Sequence, residues 1–277
     1  MHWLQRVKQS LPKHNYAIDA RQLGDFTLLP WSNLGDWSVL ENLNSKKTYP
    51  QACQSLAYRL AESLNLNSKD QLLDLGCGQG ASLLFWQQYY GVKHIEGVEL
   101  QAEHVEKIRR CLPNLTAIHH LNFLNLKQFE FKKFDVVMCI DAAYHVDLNS
   151  FLDSVNSVLN SKARLGFHTL IWSDEFLNSN FLRQQQYRLL LKAADVDAKQ
   201  LMQQHQLIAT IQNAGFATVD IVDLTTEVFA GFADYIDQQM YTGIKDLDRI
   251  KIEMTAKLCR TLFRQRMVKY VQVSAKK

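Results

Sequence analysis

The chain has 277 residues, of which 47% are hydrophobic and 21% charged. This suits one large globular domain, or a core domain with a small cap. No run approaches the ~18–20 apolar residues that a membrane helix needs. The opening residues Met1-His2-Trp3-Leu4-Gln5-Arg6-Val7-Lys8 hold no apolar signal core, so a cytoplasmic protein is expected. Cys53, Cys77, Cys111, Cys139 and Cys259 are odd in number and scattered, which reads as reduced thiols rather than a zinc site or a disulfide framework. The net charge is only +3, yet residues 245–277 alone carry ten Lys/Arg against Asp246, Asp248 and Glu253, or +7. Such a segment can touch nucleic acid or acidic lipid. The interleaved aromatic residues of a nucleic-acid platform are missing, which favours a solvated helix face.

Residues 1–50 place Tyr16, Phe26, Trp31, Trp37 and Tyr49 among turn formers with little periodicity, the pattern of an arm laid over a pocket. Residues 51–64 read as an amphipathic helix, with Ala52, Leu56, Leu60 and Leu64 four apart. A polar turn at 65–70 leads to a short apolar strand at 71–75 and directly into a glycine cluster. Helices at 81–90 and 103–111 then alternate with strands at 94–100, 115–121 and 134–140, and a helix at 150–159 precedes a fifth strand at 165–172. That alternation predicts a doubly wound, Rossmann-like sheet, and continuously apolar strands suit a sheet covered on both faces. Residues 175–204 are rich in leucine and glutamine and read as a helical cap. They are followed by a helix at 206–213, a strand at 218–224, helices at 229–240 and 247–267, and a last strand at 268–275. The long helix carries Leu247, Ile250, Met254, Leu258 and Leu262 on one stripe. The expected architecture is an α/β fold with a seven-stranded, mostly parallel sheet. It divides into an arm (1–50), a cofactor-binding core (51–172), a cap (173–205) and the rest of the core with extra helices (206–277).

The most informative stretch is Leu72-Leu73-Asp74-Leu75-Gly76-Cys77-Gly78-Gln79-Gly80. After the strand the chain must turn sharply into a helix while a ligand lies close to the backbone, and glycine permits both. Free N–H groups at the helix start favour an anionic group. The turn also fits a dinucleotide fingerprint, Gly76-x-Gly78-x-x-Ala81. Two features favour a methyl donor instead. Asp74 stands where a carboxylate can reach the ammonium of a methionine moiety, and the turn comes some 75 residues into the chain rather than at its start. Glu99, ending the second strand in Gly97-Val98-Glu99-Leu100, can accept from both ribose hydroxyls of a nucleoside, as an acid in dinucleotide sites also does.

Residues 72–80 resemble the first motif of class I S-adenosylmethionine-dependent methyltransferases, and residues 97–100 resemble the second. The resemblance implies S-adenosyl-L-methionine as cofactor, held by Asp74, Gly76, Cys77, Gly78, Gly80, Glu99 and Leu100. Leu121-Asn122-Phe123 stands where the family often has an acid, so Asn122 is expected to meet the adenine amino group through its oxygen and Phe123 the ring. Phe134-Asp135-Val136-Val137 followed by Ile140-Asp141-Ala142-Ala143-Tyr144-His145 resembles the fourth-strand motif of the branch acting on sterols, tocopherols, quinones, sugars and natural products. Trp31-Ser32-Asn33-Leu34-Gly35-Asp36-Trp37 is similar to the arm of those enzymes. Residues 158–168 are similar to their run into strand five, with Asn160-Ser161-Lys162-Ala163 in place of a Pro-Gly-Gly turn. A Glu-His-Phe-Gly-His type of segment, expected after strand four in a cyclopropane-forming lipid enzyme, is absent.

Methyl transfer from a sulfonium is an in-line displacement, so the enzyme chiefly aligns donor and acceptor. A base is needed only where the acceptor must lose a proton. His145 is the expected base, since imidazole titrates near neutrality. Asp141 is expected to hold the methionine end or orient a partner, and Tyr144, Trp37 and His168 to shape the acceptor pocket, His168 being a second candidate base. Trp31, Phe176, Phe181, Tyr187, Phe229 and Phe232 could line an apolar or aromatic acceptor site. His119 and His120 read as strand residues, and no metal is expected. The expected partner is a small-molecule acceptor rather than nucleic acid, with a homodimer left open. The alternatives are a methyltransferase acting on RNA or protein, a non-catalytic cofactor-binding homologue, and a nicotinamide oxidoreductase lacking a recognisable hydride site.

Overall fold

In a computed structural model of the chain, residues 19–38, 47–129, 133–239 and 246–277 are described. Tyr16 and the last residue of the helix expected at 229–240 lie outside them. Strands β1 (Gln71–Leu75), β2 (His94–Glu99), β3 (Ala117–His120), β4 (Phe134–Cys139), β5 (Leu159–Trp172), β6 (Thr218–Asp223) and β7 (Val268–Lys276) form one sheet in the order β3-β2-β1-β4-β5-β7-β6. The first five run parallel, and β7 inserts antiparallel between β5 and β6. The expected mostly parallel seven-stranded sheet is therefore what forms. The order reverses between β1 and β4, which opens a crevice at their carboxyl ends.

Alternate strand residues sort the core into two layers. Leu72, Met138, Leu170 and Tyr270 face α1 (Tyr49–Ser63), α2 (Ala81–Gln88) and α3 (Ala102–Cys111). Leu73, Val137, Phe167 and Val273 face α4 (Leu148–Asn156) and α7 (Gln204–Asn213). Leu56 and Leu60 on α1, and Leu64 at its C-terminal cap, are fully buried, and each such side chain contributes about 1.5–3 kcal/mol.

Four local readings need correction. The turn expected at Asn160-Ser161-Lys162-Ala163 is strand: β5 starts at Leu159, opposite Phe134, and the extra residues are taken up by a register shift before Val136 pairs with Arg164. With no Pro or Gly to break the chain, Ala163 is buried and the Asn160 amide donates to Asp135. The cap is helical only in α5 (Asp174–Leu177) and α6 (Phe181–Ala193). Beyond them the chain turns at Asp195, φ 57°, and again where Gln200 N donates to the Asp197 carbonyl, before Met202 bridges to Ile171. The helix expected from 229 begins earlier, as a π-wound turn at Thr226–Ala230 that continues into α8 (Gly231–Gln238). Finally, α9 (Leu247–Gln265) buries Arg249, Ile252, Ala256, Cys259 and Leu262, while Leu247, Ile250 and Met254 point outward. Among the described residues, no helix is long and apolar enough to cross a membrane.

Candidate functional site

The crevice at the β1/β4 switch is where the glycine turn sits. Gly76 and Cys77 both donate to the Val98 carbonyl, tying the turn to β2. Gly76, Gly78 and Gly80 take φ of 66°, 55° and 93°, in the left-handed region that favours glycine. At Gly78 a Cβ would stand 2.7 Å from Ser32 Oγ, and at Gly76 3.2 Å from the Ala142 Cβ. The arm and the segment after β4 therefore converge on the turn. Cys77 contributes backbone: its buried thiol points inward against Gly97, and burial raises its pKa.

Glu99 lies beside the turn, one carboxylate oxygen accepting from Gly78 N at 3.0 Å and the other from Gln101 N at 2.8 Å. Each oxygen keeps a lone pair for a further donor. Leu100 follows it with its side chain partly exposed. Asn122 is exposed, but its oxygen accepts from Leu124 N at 2.9 Å to close a local turn. That oxygen keeps its second lone pair, so the side chain still offers both an acceptor and its NH2. Phe123 lies against Gly76 and meets Phe151 edge to face.

Asp74 departs from expectation. It is 1% exposed and turned into α2, where it accepts from Trp86 Nε1 at 2.8 Å, and burial pushes its pKa up to about 6. Its position two residues before Gly76 puts it on the sheet face that packs under α2, away from the open side of the turn.

The side chains after β4 form a connected cluster. Asp141 takes φ 56°, uncommon outside glycine, and accepts hydrogen bonds from Leu34 N (2.9 Å), Tyr144 Oη (2.8 Å) and Tyr270 Oη (3.0 Å). Burial raises its pKa, and these three donors oppose the rise. Both phenols are pushed up too, by burial and by the neighbouring Asp141 carboxylate, which keeps them protonated donors. His145 adjoins Tyr144 with ring centroids 4.5 Å apart, and its Nδ1 bonds to the Asp195 carbonyl of the cap at 3.0 Å. A ring that donates Nδ1–H to a carbonyl has Nε2 as its basic nitrogen.

Tyr270 escaped the sequence reading because it lies in a strand with no local motif, 129 residues from Asp141 in the chain. Phe229 packs edge-on against its ring. His168 stacks on its other side at 5.5 Å but is fully buried, opposite Gln272 on β7. Among the described residues, neither ring nitrogen of His168 nor Gln272 Oε1 has a hydrogen-bond partner, and burial lowers the imidazole pKa to about 3. It is thus a neutral histidine of the core, without the open face an acceptor-binding residue needs.

The arm is held by specific contacts. Asp36 pairs with Arg59 at 2.9 Å, Tyr49 Oη donates to the Asn33 carbonyl at 2.8 Å, and Asp36 N donates to the Ala52 carbonyl. Trp37 donates from Nε1 to the Leu34 carbonyl, stacks on Tyr235 at 4.3 Å and presses on Gly231. It braces the arm on α8. Of the other expected lining residues, Trp31, Phe176, Tyr187, Phe229 and Phe232 are buried core, and Phe181 is exposed. His119 bonds to Glu96 within the sheet.

Residues 73–167 match the family model described as a methyltransferase domain. No curated protein matches the chain. Among solved structures, a geranyl diphosphate C-methyltransferase from Streptomyces coelicolor, crystallised with Mg2+, geranyl-S-thiolodiphosphate and S-adenosyl-L-homocysteine, is 18% identical. The match has a TM-score of 0.69 and covers 96% of this chain and 99% of that one. The cyclopropane synthase MmaA2 from Mycobacterium tuberculosis is 16% identical, with a TM-score of 0.69 over 95% of this chain and 92% of that one. The [4+2]-cyclase SpnF is 17% identical, with a TM-score of 0.63 over 88% and 86%. At such identities the likeness is one of fold, and it extends over nearly the whole chain.

Proposed function

Starting from a methyltransferase domain at 73–167 set in a class I fold, we propose that this chain transfers a methyl group from S-adenosyl-L-methionine to a small-molecule acceptor. The observation that carries the reading is the convergence of the glycine turn, Glu99 and the Asp141 cluster on one crevice. Glu99 accepts from the ribose hydroxyls with the lone pairs its backbone donors leave over. Leu100 and Phe123 flank the adenine, and the Asn122 oxygen meets the adenine amino group with its remaining lone pair. Backbone N–H groups at the start of α2 take the methionine carboxylate. With Asp74 held by Trp86, Asp141 is the carboxylate nearest the methionine end and the acceptor.

The bound cofactor supplies an activated methyl group with a neutral thioether leaving group. The chain supplies alignment and exclusion of water. Tyr144 and Tyr270, kept protonated, donate to Asp141 and fix its carboxylate, and His145 takes the acceptor proton on Nε2. Five free cysteines favour a reducing cytoplasm.

The test is isothermal titration with S-adenosylhomocysteine, NAD(H) and NADP(H). The nucleoside product should bind in the micromolar range, and Glu99→Ala should weaken it at least about tenfold, the loss of one charged hydrogen-bonding group. His145→Ala should keep that affinity and lower turnover of a responsive acceptor by roughly 10²–10⁴. Tighter binding of a dinucleotide would overturn the reading. Binding without turnover of any acceptor would leave a cofactor-binding homologue.

A further inference from the structure

The basic C-terminal segment has no part in the chemistry above, and its helix α9 has two apolar faces. The inner one is buried, with Cys259 near enough to Asp141 for the carboxylate to add to the rise that burial gives its thiol pKa. The outer one carries Leu247, 76% exposed, Ile250, 42%, and Met254, 64%. At 3.6 residues per turn these three fall within an arc of about 60°. Lys251 lies about 40° beyond one edge of the arc, and Lys257 and Arg264 about 20–40° beyond the other. The neighbouring acids are engaged within the helix: Asp248 pairs with Lys251 at 3.3 Å and Glu253 with Arg249 at 3.2 Å. At the N-terminal end, the Gln22 amide donates to the Asp246 carboxylate, so the arm departs from the same end of the helix. Phe26 and Leu28, 80% and 69% exposed, follow in that loop. Large apolar side chains grouped at the surface and rimmed by charge mark an interaction site.

We propose that the outer face of α9, with Phe26 and Leu28, docks on an anionic lipid surface. The apolar side chains enter the boundary between headgroups and acyl chains, and Lys251, Lys257 and Arg264 meet the lipid phosphates. Charge selects this occupant. A second copy would bring the flanking Lys257 and Arg264 against their own like charges, and a nucleic acid would leave Leu247 and Met254 without an apolar partner. Docking sets the inner face of α9 about one helix diameter (~10 Å) from the bilayer, with the Asp141 cluster deeper in the fold. A lipid-dissolved acceptor would reach the crevice from that side. The docking rests on the surface alone, so its failure leaves methyl transfer standing.

The experiment is co-sedimentation of the full chain with phosphatidylcholine vesicles, with and without phosphatidylglycerol, at low and high salt. Binding should require the anionic lipid, weaken with salt, and fall at least about tenfold in the double variant Leu247→Glu, Met254→Glu. Both positions are exposed, and thermal unfolding of the variant should match wild type. No binding to anionic vesicles, binding that ignores lipid charge, or equal binding by the double variant overturns the proposal. So does a dimer or an RNA complex that the same variant dissolves.

Discussion

Replacing Gly231 by alanine isolates how the arm is held. Gly231 has ordinary helical dihedrals, φ −61° and ψ −47°, so alanine would by itself stabilise α8 by up to about 1 kcal/mol. The added Cβ, however, would lie 2.2 Å from Trp37 Cβ and 2.6 Å from Cγ. Carbon atoms prefer a separation of about 3.5–4.0 Å, and Trp37 Cβ is bound to the backbone and cannot swing aside. The arm and α8 must move apart by about 1 Å or more. Overpacking of this kind costs about 1–3 kcal/mol. Loss of the Trp37 Nε1 bond to Leu34 adds about 1 kcal/mol, and disturbed stacking on Tyr235 about 0.5–1.5 kcal/mol. After the helix gain, the net loss is about 3 kcal/mol, a fall in Tm of roughly 6–12 °C. The decisive control is Trp37→Gly, since Trp37→Ala keeps the offending Cβ. In that background the same Gly231→Ala change should stabilise by up to about 1 kcal/mol. Urea unfolding of the four proteins measures both signs. An equal effect in the two backgrounds, or no loss in the native one, would refute the argument.

Two buried groups give pH signatures of opposite sign. Asp74 titrates near 6 in the fold against 3.8 unfolded, so its favourable contribution is full below about pH 4 and lost as the pH rises through 6. Between about pH 5 and about pH 7.5 that difference is about 1.4 kcal/mol, and Asp74→Asn should abolish it in paired urea titrations. His168 is neutral in the fold down to about pH 3 against 6.5 unfolded. Its contribution is complete above pH 6.5 and lost as the pH falls toward 3. His168→Gln should therefore become more stable relative to wild type by about 2 kcal/mol between about pH 7.5 and about pH 5. A variant that follows wild type through the whole range would mean an imidazole that stays protonated and paired.

Where the sequence failed, the cause was long-range contact. The apolar spacing of residues 247–262 is genuinely helical, but periodicity does not say which side meets the protein. Leu262 is buried with Cys259 and Ala256, while Leu247 and Met254 face out. Asn160-Ser161-Lys162-Ala163 looked like a turn by analogy, but pairing of Leu159 and Arg164 with β4 at its two ends carries it as an irregular part of β5. Asp74 was assigned to a ligand from its place in the motif, yet Trp86, twelve residues on, claims the carboxylate.

The residues themselves determined the alternation of strands and helices, the glycine turn with its positive φ, and the acid closing β2. Each is a local consequence of period, steric freedom or strand length, legible within about ten residues. Only the tertiary structure decided that β7 inserts between β5 and β6 and so carries Tyr270 to Asp141. It also decided that the arm runs over Gly78 and latches onto Asp141 through Leu34. These meetings join segments more than forty residues apart, and which of them forms depends on how the whole sheet closes, which no local pattern records.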